Sequence, residues 1–251
     1  MNVFLVFVRK ELMEQARTYK AAIMLSVFAV FGMLSPLLAK IMPDVLASAG
    51  LVISLPEPSW LDAYAQLFKN TTQMGLIVVL LVFSGTVSLE VSRGTLINVL
   101  SKGVSRGTVI MAKYVAALLL WTASYLVSLL LCQFYTGYLF GDFPTAQLGF
   151  ALACLWLFGA FALGLLLAAS TLVNGHYAGL LLTGSMLVLL LVLDFFPWFA
   201  KFSPIALAAQ NVALLQNLVE TKALLPNIVS TLVLTCLLLF IALRSFAHKQ
   251  L

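Results

Sequence analysis

The residues whose types and spacing could do chemistry lie mainly in one polar stretch, residues 90–113, with the sequence EVSRGTLINVLSKGVSRGTVIMAK. Gly94 and Gly103 bracket a short apolar run, which predicts a helix of about two turns because glycine commonly ends helices. Leu96 and Leu100 lie one turn apart on that helix. An apolar helix face with a cationic rim is suited to docking on a partner; the alternative is a helix that lies against the protein's own underside. The rim consists of Arg93, Lys102 and Arg106.

The same stretch predicts an ion pair. Glu90 is its acidic residue and stands at a predicted membrane boundary, where an unpaired carboxylate is costly. We expect a partner among Arg93, Arg106 and Lys113, and Glu90 with Lys113 is the candidate ion pair. Ser105 should cap the helix that follows, with Thr108 in its first turn.

Catalytic chemistry within this chain is not indicated. The phosphate-binding pattern G-x-x-x-x-G-K-[ST] is absent, and so are G-x-S-x-G and H-E-x-x-H. The two histidines, His176 and His248, have no obvious nucleophile or carboxylate beside them in the sequence. The three cysteines lie in long apolar runs and do not have the spacing of a metal site or a disulfide framework. We therefore predict no catalytic residue, metal or bound cofactor.

The composition of the chain indicates the environment in which these residues must be positioned. Of 251 residues, 63% are apolar and 9% are charged, and the mean hydropathy is +1.09. A soluble domain carries roughly 25% charged residues, so this chain could not cover a surface that faces water. A soluble enzyme, a DNA-binding module and a disordered linker are excluded, and lipid must be the solvent.

Six stretches are long and apolar enough to cross a bilayer as helices, which needs about 20 residues. Their continuous apolar runs do not alternate as β-barrel strands do. We therefore predict an all-α integral membrane protein with a single transmembrane domain over residues 1–251. The predicted spans are 21–42, 72–89, 114–140, 146–170, 177–195 and 228–243. The predicted parts are a helix in 1–20, spans 1 and 2 in 21–89, the coupling region 90–113, spans 3 to 5 in 114–195, an outer segment 196–227, and span 6 with a tail in 228–251.

The distribution of positive charge predicts the orientation. Ten Lys and Arg residues lie in the N-terminal region, the connection 90–113 and the C-terminus, and the four others lie on the opposite side. The positive-inside rule then places both termini in the cytoplasm of a multi-pass protein of the cell membrane. The net charge of +5 is thus explained by topology, and no nucleic-acid partner is expected.

The first 20 residues read as an amphipathic helix. Leu5, Val8, Leu12, Ala16 and Tyr19 recur at steps of three and four residues, which predicts one apolar stripe. Such a helix should lie in the membrane interface, with its basic residues near anionic headgroups. It either anchors the first span only or also contacts a cytoplasmic partner. The charged residues on the other faces are Arg9, Lys10, Glu11, Glu14 and Arg17.

The segment 196–227 separates the last two predicted spans. Apolar residues recur at helical spacing between Ile205 and Val219, and three prolines punctuate the segment. We expect one or two short helices that lie on the outer leaflet or dip into it, as an outer gate or as a lid on the bundle.

Three features together resemble the permease subunits of ABC-2 type ABC transporters. RKELMEQARTYK, just before the first span, is similar to the family's RKE…R interface helix. Within 90–113, the pattern E-x-x-R-G-T-L-x-x-x-L-S…S-R…K is similar to the family's coupling region, although Lys102-Gly103 stands where many relatives carry proline. Six spans with a helical outer segment complete the resemblance, which covers essentially the whole chain.

The resemblance implies a transport subunit that forms the translocation pathway. Two such permeases, identical or different, would pair over two cytoplasmic ABC ATPase subunits that bind ATP and Mg. The interface and coupling helices would sit in grooves on the ATPases and pass their closure to the spans. Most relatives export their substrate, and the apolar walls of such spans favour a peptide or another amphipathic molecule. The implied ATPase-coupling residues are Arg9, Lys10, Glu11, Arg93, Gly94, Thr95, Leu96, Leu100, Lys102, Ser105 and Arg106.

Two other classes of function stay open. An ATP-independent secondary transporter or channel would usually place ionisable residues near the bilayer midplane or show an inverted repeat, and the sequence shows neither clearly. A non-transporting membrane scaffold would need no ATPase partner. A neighbouring gene for a P-loop ATPase would separate these alternatives.

Overall fold

Helices dominate the part of the protein that the structure, a computed structural model, describes: residues 3–48, 57–88, 90, 103–141, 147–173, 175 and 177–248. No strand occurs in those ranges. The α-helices are α1 (Val3–Arg17), α2 (Lys20–Ser48), α3 (Trp60–Asn70), α4 (Leu76–Phe83), α5 (Arg106–Phe140), α6 (Leu148–Leu172), α7 (Ala178–Leu193), α8 (Pro197–Ala200), α9 (Ala206–Ala209), α10 (Asn211–Leu215) and α11 (Leu225–His248). A π-helical turn, Thr71–Gly75, joins α3 to α4, and a 3-10 turn, Thr221–Leu224, precedes α11.

Five helical stretches among the described residues are long and apolar enough to cross a membrane. They indicate an α-helical, multi-pass membrane protein. The helix at the fifth predicted span, α7, has 16 residues and so a length of about 24 Å, less than the roughly 30 Å of a hydrocarbon core. The count of six spans therefore stays a prediction. The five stretches are Lys20–Pro43, Trp60–Phe83, Arg106–Phe140, Leu148–Leu172 and Thr221–His248.

The second span lies earlier in the chain than its predicted range of 72–89. It begins at Trp60 and ends at Phe83. Its start is set by a capping box in which the Asp62 carboxylate accepts a hydrogen bond from the backbone N–H of Ser59. Its end is set by a turn in which Gly85 has a φ of 70°, a conformation that glycine adopts without strain.

The N-terminal helix is present as α1, and Tyr19, with a φ of 60°, turns the chain from α1 into α2. Its buried residues are Val8, Glu11 and Gln15, whereas the predicted stripe included Leu5 and Tyr19, which are exposed. The face of α1 that contacts the bundle is therefore partly polar. Of the predicted stripe, Val8 is buried, Leu12 is half-buried, and Leu5, Ala16 and Tyr19 are exposed.

The centre of the bundle is α6, whose residues from 158 to 171 are all buried. Aromatic side chains of α5 donate hydrogen bonds to backbone carbonyls of α6, as buried Tyr and Trp require. These bonds fix α5 and α6 against each other along about three helical turns. They join Tyr114 Oη to the Ala160 carbonyl (3.1 Å), Trp121 Nε1 to the Trp156 carbonyl (3.2 Å) and Tyr125 Oη to the Leu152 carbonyl (2.9 Å).

The segment 196–227 contains three short α-helices, α8 to α10, where one or two were expected. Proline at the first position of α8 and a left-handed residue, Asn217, break the segment into these pieces. The amide of Asn227 on α11 donates to the carbonyls of Ala200 and Ser203 at 2.8 and 3.0 Å. α9 and α10 pack on α6, and α10 also packs on α3. The segment covers one end of the bundle.

Candidate functional site: a buried ion cluster

A lysine ammonium group between two carboxylates forms the centre of the site. Lys113, near the start of α5, is 2% exposed and Glu11 on α1 is 3% exposed. Lys113 Nζ donates to both oxygens of Glu11, at 3.1 and 3.0 Å, and to Glu90 Oε1 at 2.7 Å. Glu90 and Lys113, the candidate pair of the sequence analysis, are thus in direct contact. Charge-assisted hydrogen bonds of this length are among the stronger polar contacts in proteins.

A second lysine closes the cluster toward water. Lys10 Nζ lies 2.9 Å from Glu11 Oε1, 2.8 Å from Glu14 Oε2 and 3.8 Å from Glu90 Oε1. Burial alone lowers the pKa of Lys10, but its hydrogen bonds with Glu14 and Glu11 outweigh burial and raise the pKa above its ordinary value. Burial likewise raises the pKa of Glu14, and the hydrogen bond from Lys10 outweighs it, so the pKa is lowered. Both groups are held in their charged forms.

Three pieces of chain that are distant in sequence meet at this cluster. α1 packs against α5, with Val8 and Glu11 turned inward on the same helix face. Glu90 follows the end of the second span, and Lys113 stands two turns into α5. The cluster therefore ties the N-terminal helix to both ends of the connection 90–113.

The charges of the cluster nearly balance. The carboxylates of Glu11, Glu14 and Glu90 lie close enough together to suggest a cation site. The ammonium groups of Lys10 and Lys113 lie among their oxygens, so lysine supplies the neutralising charge that a metal would otherwise bring. A cavity of about 20 Å³ beside Lys113 and Tyr114 has room for about one water molecule. The geometry holds the three pieces of chain together through ion pairs.

The structure gives the other residues named from sequence different surroundings. Ser105 caps α5, since its Oγ accepts a hydrogen bond from the Thr108 backbone N–H at 3.1 Å. Arg106 Nη1 donates to the carbonyls of Phe246 and Ala247 at 3.1 and 2.9 Å. Arg9 is exposed. Arg93, Gly94, Thr95, Leu96, Leu100 and Lys102 lie outside the described residues.

Sequence reasoning missed two features of the site. Glu11 was placed among the polar faces of α1, yet it is buried in the protein. Arg106 was expected on a docking rim, yet its guanidinium binds the last turn of α11, where helix carbonyls lack partners and cations are favoured. The spacing of Lys10 and Glu14, four residues apart, was the one local signal of the cluster.

In comparisons with known proteins, no family model and no curated sequence matches the chain.

The Lys10–Glu14 pair predicts a pH dependence. A lowered pKa in the folded state means that Glu14 stabilises the fold above its unfolded pKa of about 4.3, and that this contribution is lost as the pH falls through the folded value. Lys10 stabilises below its unfolded pKa of about 10.4 and loses its contribution as the pH rises through its raised folded pKa. The difference in Tm between wild type and Glu14→Gln should be constant from about pH 5 to 10 and shrink as the pH falls below the unfolded pKa of Glu14, about 4.3. A difference that stays constant or grows as the pH falls below that value would contradict this.

Proposed function

We propose that this chain is the membrane-spanning permease subunit of an ATP-driven exporter of the ABC-2 type. The observation that carries the proposal is the ion cluster, which joins the N-terminal helix, the end of the second span and the base of α5 through Lys113. A subunit that receives motion from a cytoplasmic partner needs its docking elements joined rigidly to its spans. The cluster provides that connection.

The connection works as a lever with two attached ends. The residues proposed to contact the ATPase, Leu96 and Leu100 between the glycines and Arg93 just before Gly94, lie in the segment that starts directly after Glu90 and ends at α5. Glu90 is bonded to Lys113, and Lys113 to Glu11. A displacement of that segment would therefore move α1 and α5 together. In this proposal Glu11 and Arg106 are positioning residues, because both are bonded within the chain.

The proposal includes partners and topology. The partners are ABC ATPase subunits, which bind ATP and Mg, and a second permease subunit, identical or different. The chain crosses the cell membrane six times, α7 being the fifth crossing, and both termini are cytoplasmic. The exported substrate is a peptide or another amphipathic molecule, which suits the apolar faces of the long helices. The segment 196–227 covers the outer end as a gate or a lid.

Leu96→Asp and Leu100→Asp test the proposal, because a carboxylate on the apolar docking face should abolish contact with the ATPase. Tagged protein purified from its native membrane should carry a P-loop ATPase, identified by mass spectrometry. The amount of ATPase that co-purifies with each variant should be at least about tenfold lower than with wild type. Burying an unpaired charge costs well over about 1.4 kcal/mol, which corresponds to more than a tenfold loss of affinity.

Leu218→Asp is the matched control, since Leu218 is 74% exposed in the segment 196–227 at the other end of the bundle. It should retain the ATPase, and all variants should elute as folded protein. If both docking variants co-purify normally, or if wild type carries no P-loop ATPase, the proposal is wrong. Transport driven by an ion gradient without an ATPase would then indicate a secondary transporter.

A further inference from the structure

Polar side chains follow one face of the first half of the second span. Asp62, Gln66, Lys69 and Gln73 recur at steps of three and four residues, which places them on the same side of the helix. The first three lie before the predicted second span, 72–89, and so fall in the connection between the first two predicted spans. The structure places all four within the helical stretch Trp60–Phe83.

Lys69 is the residue that most needs an explanation. It lies nine residues beyond Trp60, so its backbone is about 13 Å along the helix from the start of the span. Its side chain is exposed, and no hydrogen bond or ion pair reaches it from any part of the chain that the structure describes. An exposed ammonium group is costly in hydrocarbon, and water or an anion beside Lys69 would offset that cost.

A cavity of about 290 Å³ lies beside this lysine, between α2 and α3. Leu38 and Met42 of α2 and Ala65 of α3 contribute apolar wall, while Asp62, Gln66 and Lys69 contribute polar wall. The volume lies at the small end of the range for ligand pockets, enough for a headgroup and not for a whole lipid. Apolar residues on one wall and charges on the other are suited to an amphiphile.

The charges are ordered along the helix. Asp62 lies near the end of the span and Lys69 lies two turns deeper. Asp62 Oδ2 accepts hydrogen bonds from the Ser59 backbone N–H and Oγ, both at 2.9 Å, which fixes the carboxylate and leaves acceptor capacity for a further donor. In a zwitterionic phospholipid with an ethanolamine head, the phosphate lies nearer the acyl chains and the ammonium lies nearer water. That order matches Lys69 and Asp62.

We propose that this cavity binds the headgroup of a phosphatidylethanolamine-type lipid from the leaflet at this end of the bundle. The Lys69 ammonium holds the phosphate, the Asp62 carboxylate accepts from the lipid ammonium, and the acyl chains leave along Leu38 and Met42. Gln66, between the two charges, offers its amide to the phosphate oxygens. The proposed site consists of residues of this chain alone, and the proposal does not depend on an ATPase partner.

The test is native mass spectrometry of the purified full chain in detergent, titrated with phosphatidylethanolamine or phosphatidylglycerol. Wild type should retain one phosphatidylethanolamine more tightly than phosphatidylglycerol, which has no ammonium. Lys69→Gln should weaken phosphatidylethanolamine binding about tenfold, since a charge-assisted hydrogen bond is worth roughly 1.5–3 kcal/mol. Asp62→Asn should remove the preference for phosphatidylethanolamine over phosphatidylglycerol.

Two further variants separate the site from general effects of charge and packing. Lys201→Gln removes an exposed lysine outside the cavity and should leave binding unchanged. Ala65→Phe should fill the cavity and weaken binding with both charges intact; if it fails to fold, Lys69→Gln and Asp62→Asn still decide. Unchanged binding in Lys69→Gln, or equal retention of both lipids by wild type, would overturn the proposal. Competition by millimolar inorganic phosphate would indicate a free-phosphate site and would also overturn it.

Discussion

Replacing Lys113 by alanine should destabilise the protein by about 3–5 kcal/mol, the usual cost of removing one partner of a buried ion pair. The variant leaves the almost fully buried Glu11 carboxylate with Lys10, whose side chain is more exposed, as its remaining ion-pair partner among the described residues. It also removes the 2.7 Å contact with Glu90. Unfolding in mixed detergent–SDS micelles, followed by circular dichroism, measures the loss.

Lys10→Ala is the matched control for this prediction. The Lys10 side chain is 42% exposed, and exposed ion pairs contribute about 0–1 kcal/mol. Both lysines contact Glu11 and Glu90, and Lys10 also contacts Glu14, so the variants differ mainly in how far the removed ammonium group is buried. A cost for Lys113→Ala that does not exceed the cost for Lys10→Ala would show that the buried contact does not hold α1 in place.

A double variant, Glu11→Leu with Lys113→Met, tests whether the cost comes from the unpaired charge. Apolar residues of similar volume often replace a buried ion pair with little loss of stability. Glu90 would keep Lys10, 3.8 Å away, as a neutralising partner. The double variant should therefore be more stable than Lys113→Ala. If it is folded and stable but cannot couple to a partner, the cluster acts in transmission of motion and not in folding alone.

The membrane-spanning helices could be predicted because their signal is local. Runs of apolar residues of sufficient length predicted four of the five long stretches within several residues, and the second span is the exception. There Asp62, Lys69 and Asn70 interrupt the hydropathy, so the first half of the helix resembled a connection. The Ser59-x-x-Asp62 capping box was the sequence signal that could have placed its start.

The candidate site could be predicted only where its contacts are near in sequence. Glu90 and Lys113 bound the same connection, so the need of a boundary carboxylate for a cation was enough to suggest the pair. The contact of Glu11 with Lys113 joins residues 102 positions apart, and Arg106 bonds a carbonyl 140 positions away. Amphipathic periodicity counts a charged residue as facing water, so a buried Glu on α1 contradicts the pattern that predicted the helix.

Gly32→Ala should destabilise the bundle by about 1–3 kcal/mol, the cost of overpacking a close contact. A Cβ at Gly32 on α2 would clash with the Ser128 carbonyl oxygen and lie 2.9 Å from the Ser128 Cα on α5. Both atoms belong to the backbone, so no rotamer change relieves the clash and the two helices must separate.

Gly184→Ala on α7 is the control for this close contact, because beyond its own helix backbone the described residues place no atom within 4 Å of the added Cβ. Relative to glycine, alanine favours a helix by up to about 1 kcal/mol, so this variant should be neutral or slightly stabilising. The same SDS unfolding assay measures both variants. Because the chemical change is identical, opposite signs of the change in the free energy of unfolding follow from the backbone contact alone. Equal effects of the two substitutions would mean that α2 and α5 do not pack as closely as Gly32 and Ser128 require.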